Sequence, residues 1–218
     1  MDMAISEKSK LLQAIEMILA KPEDIKNESL QLVIKFKKSH PQKSEAEIRR
    51  AVSKKIISNY SYYSAFTGGT TALTGIIPGI GTAIAVVGGA GADAIASMKF
   101  QIEMTMAIAT VHGHDILIEE QKRVFYIIAG LGAINETAKE GGKSLGSKAF
   151  IALVKKHLKG ATLQTVKEIF KKVGITFTRK ALEKSIPFGI GVIIGFSANK
   201  GLTWYVGSKA QDFFSADA

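Results

Sequence analysis

The stretch Ile56–Ala92, I56-I-S-N-Y-S-Y-Y-S-A-F-T-G-G-T-T-A-L-T-G-I-I-P-G-I-G-T-A-I-A-V-V-G-G-A-G-A92, contains no Asp, Glu, Lys or Arg and is dense in Gly, Ala, Ser and Thr. Small side chains let two helix backbones come close, so the segment reads as helix-packing surface. Pro78 removes a backbone donor and clashes with the preceding turn, so Ile76–Gly81 reads as a turn between two helical arms. The closing segment repeats the signature, with Ile186-Pro187-Phe188-Gly189-Ile190-Gly191 echoing Ile77-Pro78-Gly79-Ile80-Gly81 with one residue inserted. The reading is an all-α, single-domain helical bundle in which two central Gly/Ala-rich segments pack together. Gly75, Gly79, Gly81, Gly88, Gly91, Gly189, Gly191 and Gly195 are the expected packing positions, facing each other or the same stripe of another copy in a homo-oligomer.

Outward from this centre, apolar residues recur at three and four spacing. Amphipathic helices are expected over Ser6–Ala20 and Glu28–Lys38, which form an N-terminal unit over residues 1–43 that covers the core. A helical domain over 44–218 opens at Ser44, where Glu47 three residues on completes a capping-box spacing. Its later helices are expected from Pro78 to His112, with Gly113 as a left-handed cap, then over Ile118–Thr137, Ser147–Lys159, Thr162–Val173 and Thr178–Ser185. The β-branched run Gly174–Thr178 stands outside this periodicity and is too isolated to build a sheet.

Charge is unevenly placed. The 218 residues carry a net charge of +10, and residues 139–184 hold 12 basic against 3 acidic side chains. Only four of the 29 basic residues are Arg. Lys lacks the planar fork that reads base edges, which speaks against sequence-specific nucleic acid and for a diffuse anionic surface. On the Ser147–Lys159 helix, Lys148, Lys155, Lys156 and Lys159 fall opposite an apolar side containing Phe150, the pattern of an interfacial helix with these residues turned toward a membrane. With no cysteine there is no disulfide, thiolate metal site or Cys nucleophile. The first residues lack a basic n-region leading into an apolar run, so the expected location is cytoplasmic, peripheral to or inserted at the inner membrane.

The arms around Pro78 are diluted by Gly, Thr and Tyr and are only marginally hydrophobic for spanning a bilayer. Two outcomes follow, a bundle that buries them and a hairpin that inserts.

The stretch T74-G-I-I-P-G-I-G-T-A-I-A-V-V-G-G-A-G-A-D93, followed by His112-Gly113-His114-Asp115, resembles the core of the EcsC family. The segment I186-P-F-G-I-G-V-I-I-G-F-S-A-N-K-G-L-T-W-Y-V-G-S-K-A-Q-D-F-F214 is similar to that family's closing part. The resemblance implies a bacterial helical protein, of a family named after a gene accompanying an ABC transporter and with no settled chemistry. It also implies that Asp93, Gly113 and Asn199 are the characteristic residues. This chain departs from the family in carrying His112 where an aromatic is usual.

Candidate chemistry is sparse. His112, His114 and Asp115 are metal-binding residue types without a well-spaced third ligand set. Gly142-Lys143-Ser144 lacks the earlier glycine and the strand of a phosphate loop, and Gly195–Asn199 lacks the second glycine of a hydrolase elbow. No cofactor is expected. The leading expectation is a non-catalytic accessory or binding protein whose Lys-rich face meets anionic lipid or a membrane-protein partner. Its rivals are a pore-forming protein inserting the Pro78 hairpin, a lipid-directed hydrolase using Asp93 with His112 or His114, and a soluble chaperone or immunity-type binder.

Overall fold

A computed structural model of the chain describes residues 10–65, 77–87, 92–137, 144–160, 162–183 and 191–216, without the side chains of 93, 178–183 and 191–198. Among the described residues there are nine helices and no strand, packed into one domain. They are α1 (Lys10–Glu16), α2 (Pro22–Ser39), α3 (Glu45–Ala65), α4 (Ile80–Val87), α5 (Ala92–Val111), α6 (Glu119–Thr137), α7 (Ser147–Leu158), α8 (Leu163–Glu183) and α9 (Gly191–Ala216).

The boundaries have local causes. Pro22, whose fixed φ suits the first helical position, opens α2. At α3 the expected capping box forms reciprocally: the Ser44 backbone N–H donates to Glu47 Oε2 at 2.9 Å and the Glu47 N–H to Ser44 Oγ at 3.3 Å. Helix α5 stops in a Schellman turn, with the Gly113 N–H on the Thr110 carbonyl, the His114 N–H on that of Ala109, and Gly113 at φ +92°. Gly79, at φ +78°, makes the bend after Pro78 that starts α4.

The bundle is arranged around α5, which touches α1, α2, α3, α4, α6, α8 and α9. From Ala94 to His112 every α5 residue is buried, so the helix has no solvent face. Helices α1 and α2 cover this core as expected, with Leu11, Leu12, Ala14, Ile15 and Ile25 buried.

Two expectations change. Residues 163–183 form one helix rather than two, and Gly174–Phe177 lies inside it. Val166, Ile169, Phe170, Val173 and Phe177 form one stripe against the core at three and four spacing, and that burial overrides the weak helix preference of the β-branched run.

The second change concerns the glycines. The charge-free stretch does meet the closing helix, but through α3, which makes its most extensive contact with α9. Thr203 Oγ1 donates to Ser64 Oγ at 2.9 Å, and a Cβ on Gly207 would lie 2.8 Å from Ile57 Cγ1 and from Met104 Sδ. The arm after Pro78 packs on α1 and α5 instead, because Ile77, Ile80 and Ala83 bury toward them. Gly81 faces open space and Gly79 has only an ordinary contact with Ile18, so neither is a close-packing position. Gly191 and Gly195 belong to α9; Gly75, Gly88, Gly91 and Gly189 lie outside the described residues. The close approaches fall instead at Gly130 against Ile169, Gly132 against Val206, and Gly207.

These contacts make opposite predictions for two glycines. Gly207→Val should destabilise the fold by about 1–3 kcal/mol through overpacking, whereas Gly81→Ala should be neutral or add up to about 1 kcal/mol. Urea unfolding of the two variants beside the parent chain measures both.

Candidate functional site

A helix buried on all sides needs apolar residues all round, yet α5 carries Ser97, Lys99, Gln101, Glu103, Thr105, Thr110 and His112, all buried. Most of these satisfy themselves locally. Thr105 and Thr110 donate to the carbonyls four residues back, and Gln101 Nε2 donates to Ser97 Oγ at 2.9 Å. Among the described residues Ser61 Oγ and Gln101 Oε1 are buried without a hydrogen-bond partner.

The charged pair also reaches beyond its own helix. Lys99 Nζ donates to Glu103 Oε1 at 2.6 Å, and the Ala20 backbone N–H reaches the same oxygen at 2.7 Å. Lys99 also sits 4.9 Å from the centre of the Phe100 ring. Burial, helped by the nearby Glu103 charge, raises the pKa of the Tyr60 phenol above its ordinary value. Glu103 therefore ties the turn between α1 and α2 to the central helix.

That turn forms one wall of a cleft of about 360 Å³ between α1, α5 and α6. Its apolar floor includes Ile102, Met106 and Phe125, and its rim carries Glu16, Lys21, Glu119 and Lys122. Lys122 is engaged by Glu119 one turn earlier on the same helix. Glu16 has Tyr126 as its hydrogen-bonding neighbour; desolvation raises its pKa above the usual carboxylate value. Burial and the Glu16 charge likewise raise the phenol of Tyr126.

The residues singled out in the sequence are dispersed. His112 is buried and within 3.4 Å of Ser53 Oγ; burial first, then the positive charges of Arg49 and His114, lower its pKa to about 4. His114 lies against the Phe214 ring, and Asp115 pairs with Lys26 at 2.9 Å. The Lys26 hydrogen bond and the Leu117 N–H hold the Asp115 carboxyl below its ordinary pKa. The three side chains thus take separate partners, and among the described residues no group of three or more His, Asp or Glu stands where it would hold a metal ion.

Asn199 is buried. Next to it Lys200 lies over the Tyr62 ring at 3.9 Å; the Asp93 side chain is outside the described residues. The loop containing Gly142 and Lys143 is outside them as well.

Lys148, Lys155 and Lys156 of α7 and Lys159, the cap just past its end, are exposed. Phe150 was expected to face a membrane with them, but it is 0% exposed and packs edge-on against Tyr205. The apolar side of α7 is occupied by α6 and α9, which leaves only the lysine side to the exterior. Among the described residues no helix is long and apolar enough to cross a membrane.

Sequence reasoning missed the cleft and the ion pair. Lys99 and Glu103 stand four apart, the ordinary spacing of a solvent-exposed helix pair, so nothing local marked them as buried. No protein-family model, curated protein or solved structure matches the chain.

Two measurements probe this polar interior. Lys99→Met should cost about 3–5 kcal/mol by stranding a buried carboxylate, and adding Glu103→Gln should recover part of that, since Gln keeps an acceptor for the Ala20 N–H. Equilibrium denaturation of the single and double variants gives the comparison.

For His112 the folded-state pKa of about 4 lies below the unfolded value, so the unfolded chain binds the extra proton first on acidification. Stability should then fall from about pH 6.5 down to about pH 4, by at most about 3 kcal/mol from this group. His112→Gln should flatten that part of a pH series of unfolding free energies.

Proposed function

We propose that the protein is a non-catalytic, EcsC-like helical protein with an accessory role at an anionic membrane surface, which it meets through the lysine side of α7. The observation that carries this reading is the division of α7. Phe150 and Val154 are fully buried, while Lys148, Lys155, Lys156 and Lys159 all point outward on one side. At about 100° per residue the three on the helix, Lys148, Lys155 and Lys156, span little more than a quarter of its circumference. Lys148, Lys156 and Lys159 have no ion pair among the described residues.

Because the apolar side of α7 is used inside the bundle, contact with lipid would be electrostatic and peripheral, with little insertion. Each lysine near an anionic leaflet contributes about 1 kcal/mol, and the attraction weakens as salt shortens the Debye length. Pore formation is the less favoured reading: insertion of the Pro78 hairpin would have to pull Ile77, Ile80 and Ala83 out of buried positions. For catalysis, His112 does stand 3.4 Å from the Ser53 hydroxyl, but Ser53 is 0% exposed and His112 is buried, so a substrate has no access to the pair, and His114 lies on the Phe214 ring.

Flotation with vesicles tests this reading. The chain should float with phosphatidylserine-containing vesicles and stay behind with pure phosphatidylcholine. Binding should weaken at least tenfold when all four lysines become Gln, and it should be lost in high salt. Equal binding to neutral vesicles, unchanged binding of the fourfold variant, or release of an encapsulated dye would overturn it.

A further inference from the structure

We propose that the cleft between α1, α5 and α6 is a binding site for a small amphiphilic cation, an alkylammonium whose charged head meets Glu16 and whose apolar body lies on Ile102, Met106 and Phe125. The volume of about 360 Å³ is in the range of small-ligand pockets, roughly 300–1,000 Å³, and such pockets pair an apolar floor with a few convergent polar groups. This inference is independent of the membrane reading, since it concerns a different face and needs no lipid.

The sign of the head group follows from how the rim charges are already satisfied. Lys122 is held by Glu119, so that pair presents little net charge to an occupant. Lys21 is an exposed side chain at the start of α2 and can remain in water. Glu16 is the carboxylate left without a contacting cation among the described residues. Tyr126 gives it a hydrogen bond, while Lys122 and Lys167 act on it only at longer range and Glu119 opposes its charge. Desolvation is the largest influence on Glu16, the condition in which an incoming ammonium is most strongly attracted.

The wall that continues from Glu16 is fixed in advance. Leu19, Ala20 and Lys21 belong to the turn held by the hydrogen bond from the Ala20 N–H to Glu103, so the cleft is shaped before any ligand arrives.

Titration calorimetry of the full chain with n-octylammonium, in lipid-free buffer at neutral pH and below its micellar concentration, tests the assignment. Saturable binding near one per chain is expected, with at least tenfold weaker binding by octanoate and octanol. Glu16→Gln, which removes the charge and keeps the shape of a rim side chain, should keep the parent melting temperature and lose octylammonium affinity about tenfold. Tyr126→Phe should lose less. Octanoate binding as tightly as octylammonium, Glu16→Gln binding like the parent chain, or no saturable heat would each overturn the proposal, whatever the vesicle experiment shows.

Discussion

The fold depends on an ion pair placed where the bundle has no water. Lys99 and Glu103 lie on the central helix, which all the others except α7 pack against, and both are buried. A buried pair of this kind is weak evidence for added stability, because desolvating two charges offsets most of their attraction. Its effect is on arrangement. An oxygen that must keep both the Lys99 ammonium and the Ala20 N–H admits one position for the α1–α2 turn and one rotation for α5. An apolar helix of the same size would satisfy its neighbours in several rotations; this one does not.

Much of the architecture was legible in the residues because its signals are local. Ser44 with Glu47, Gly113 and the apolar periodicity each act within one turn of chain, and the structure uses them as read. What failed was long-range. Gly81 and Gly207 look alike in sequence, yet one faces open space and the other is pressed by Ile57 and Met104, a difference made by which helices happen to be neighbours. Gly174–Phe177 was misread for the same reason, since a core stripe contributed by distant helices outweighs a local preference of a few tenths of a kcal/mol.

The cleft illustrates the same limit. Glu16, Tyr126 and Met106 come from three helices and share no motif, so only the folded chain brings them to one place. The lysines of α7 were visible as a cluster, but a periodic pattern reports that one side is apolar without saying what covers it. The burial of Phe150 supplies that answer, and it moves the helix from a lipid-embedded reading to a docked one.

Gly130 and Gly132 stand two positions apart on α6, so they look out on nearly opposite sides of the helix, one toward Ile169 of α8 and the other toward Val206 of α9. The missing side chains make α6 thin along that one direction, like a shim between two thicker bars. A bulkier residue on either side would wedge α8 and α9 further apart, and because α7 leans on both α6 and α9, the strain would reach the outer lysine row from a position that never touches it. The seating of the lysine row on the exterior is thereby tied to the width of a helix at the interior.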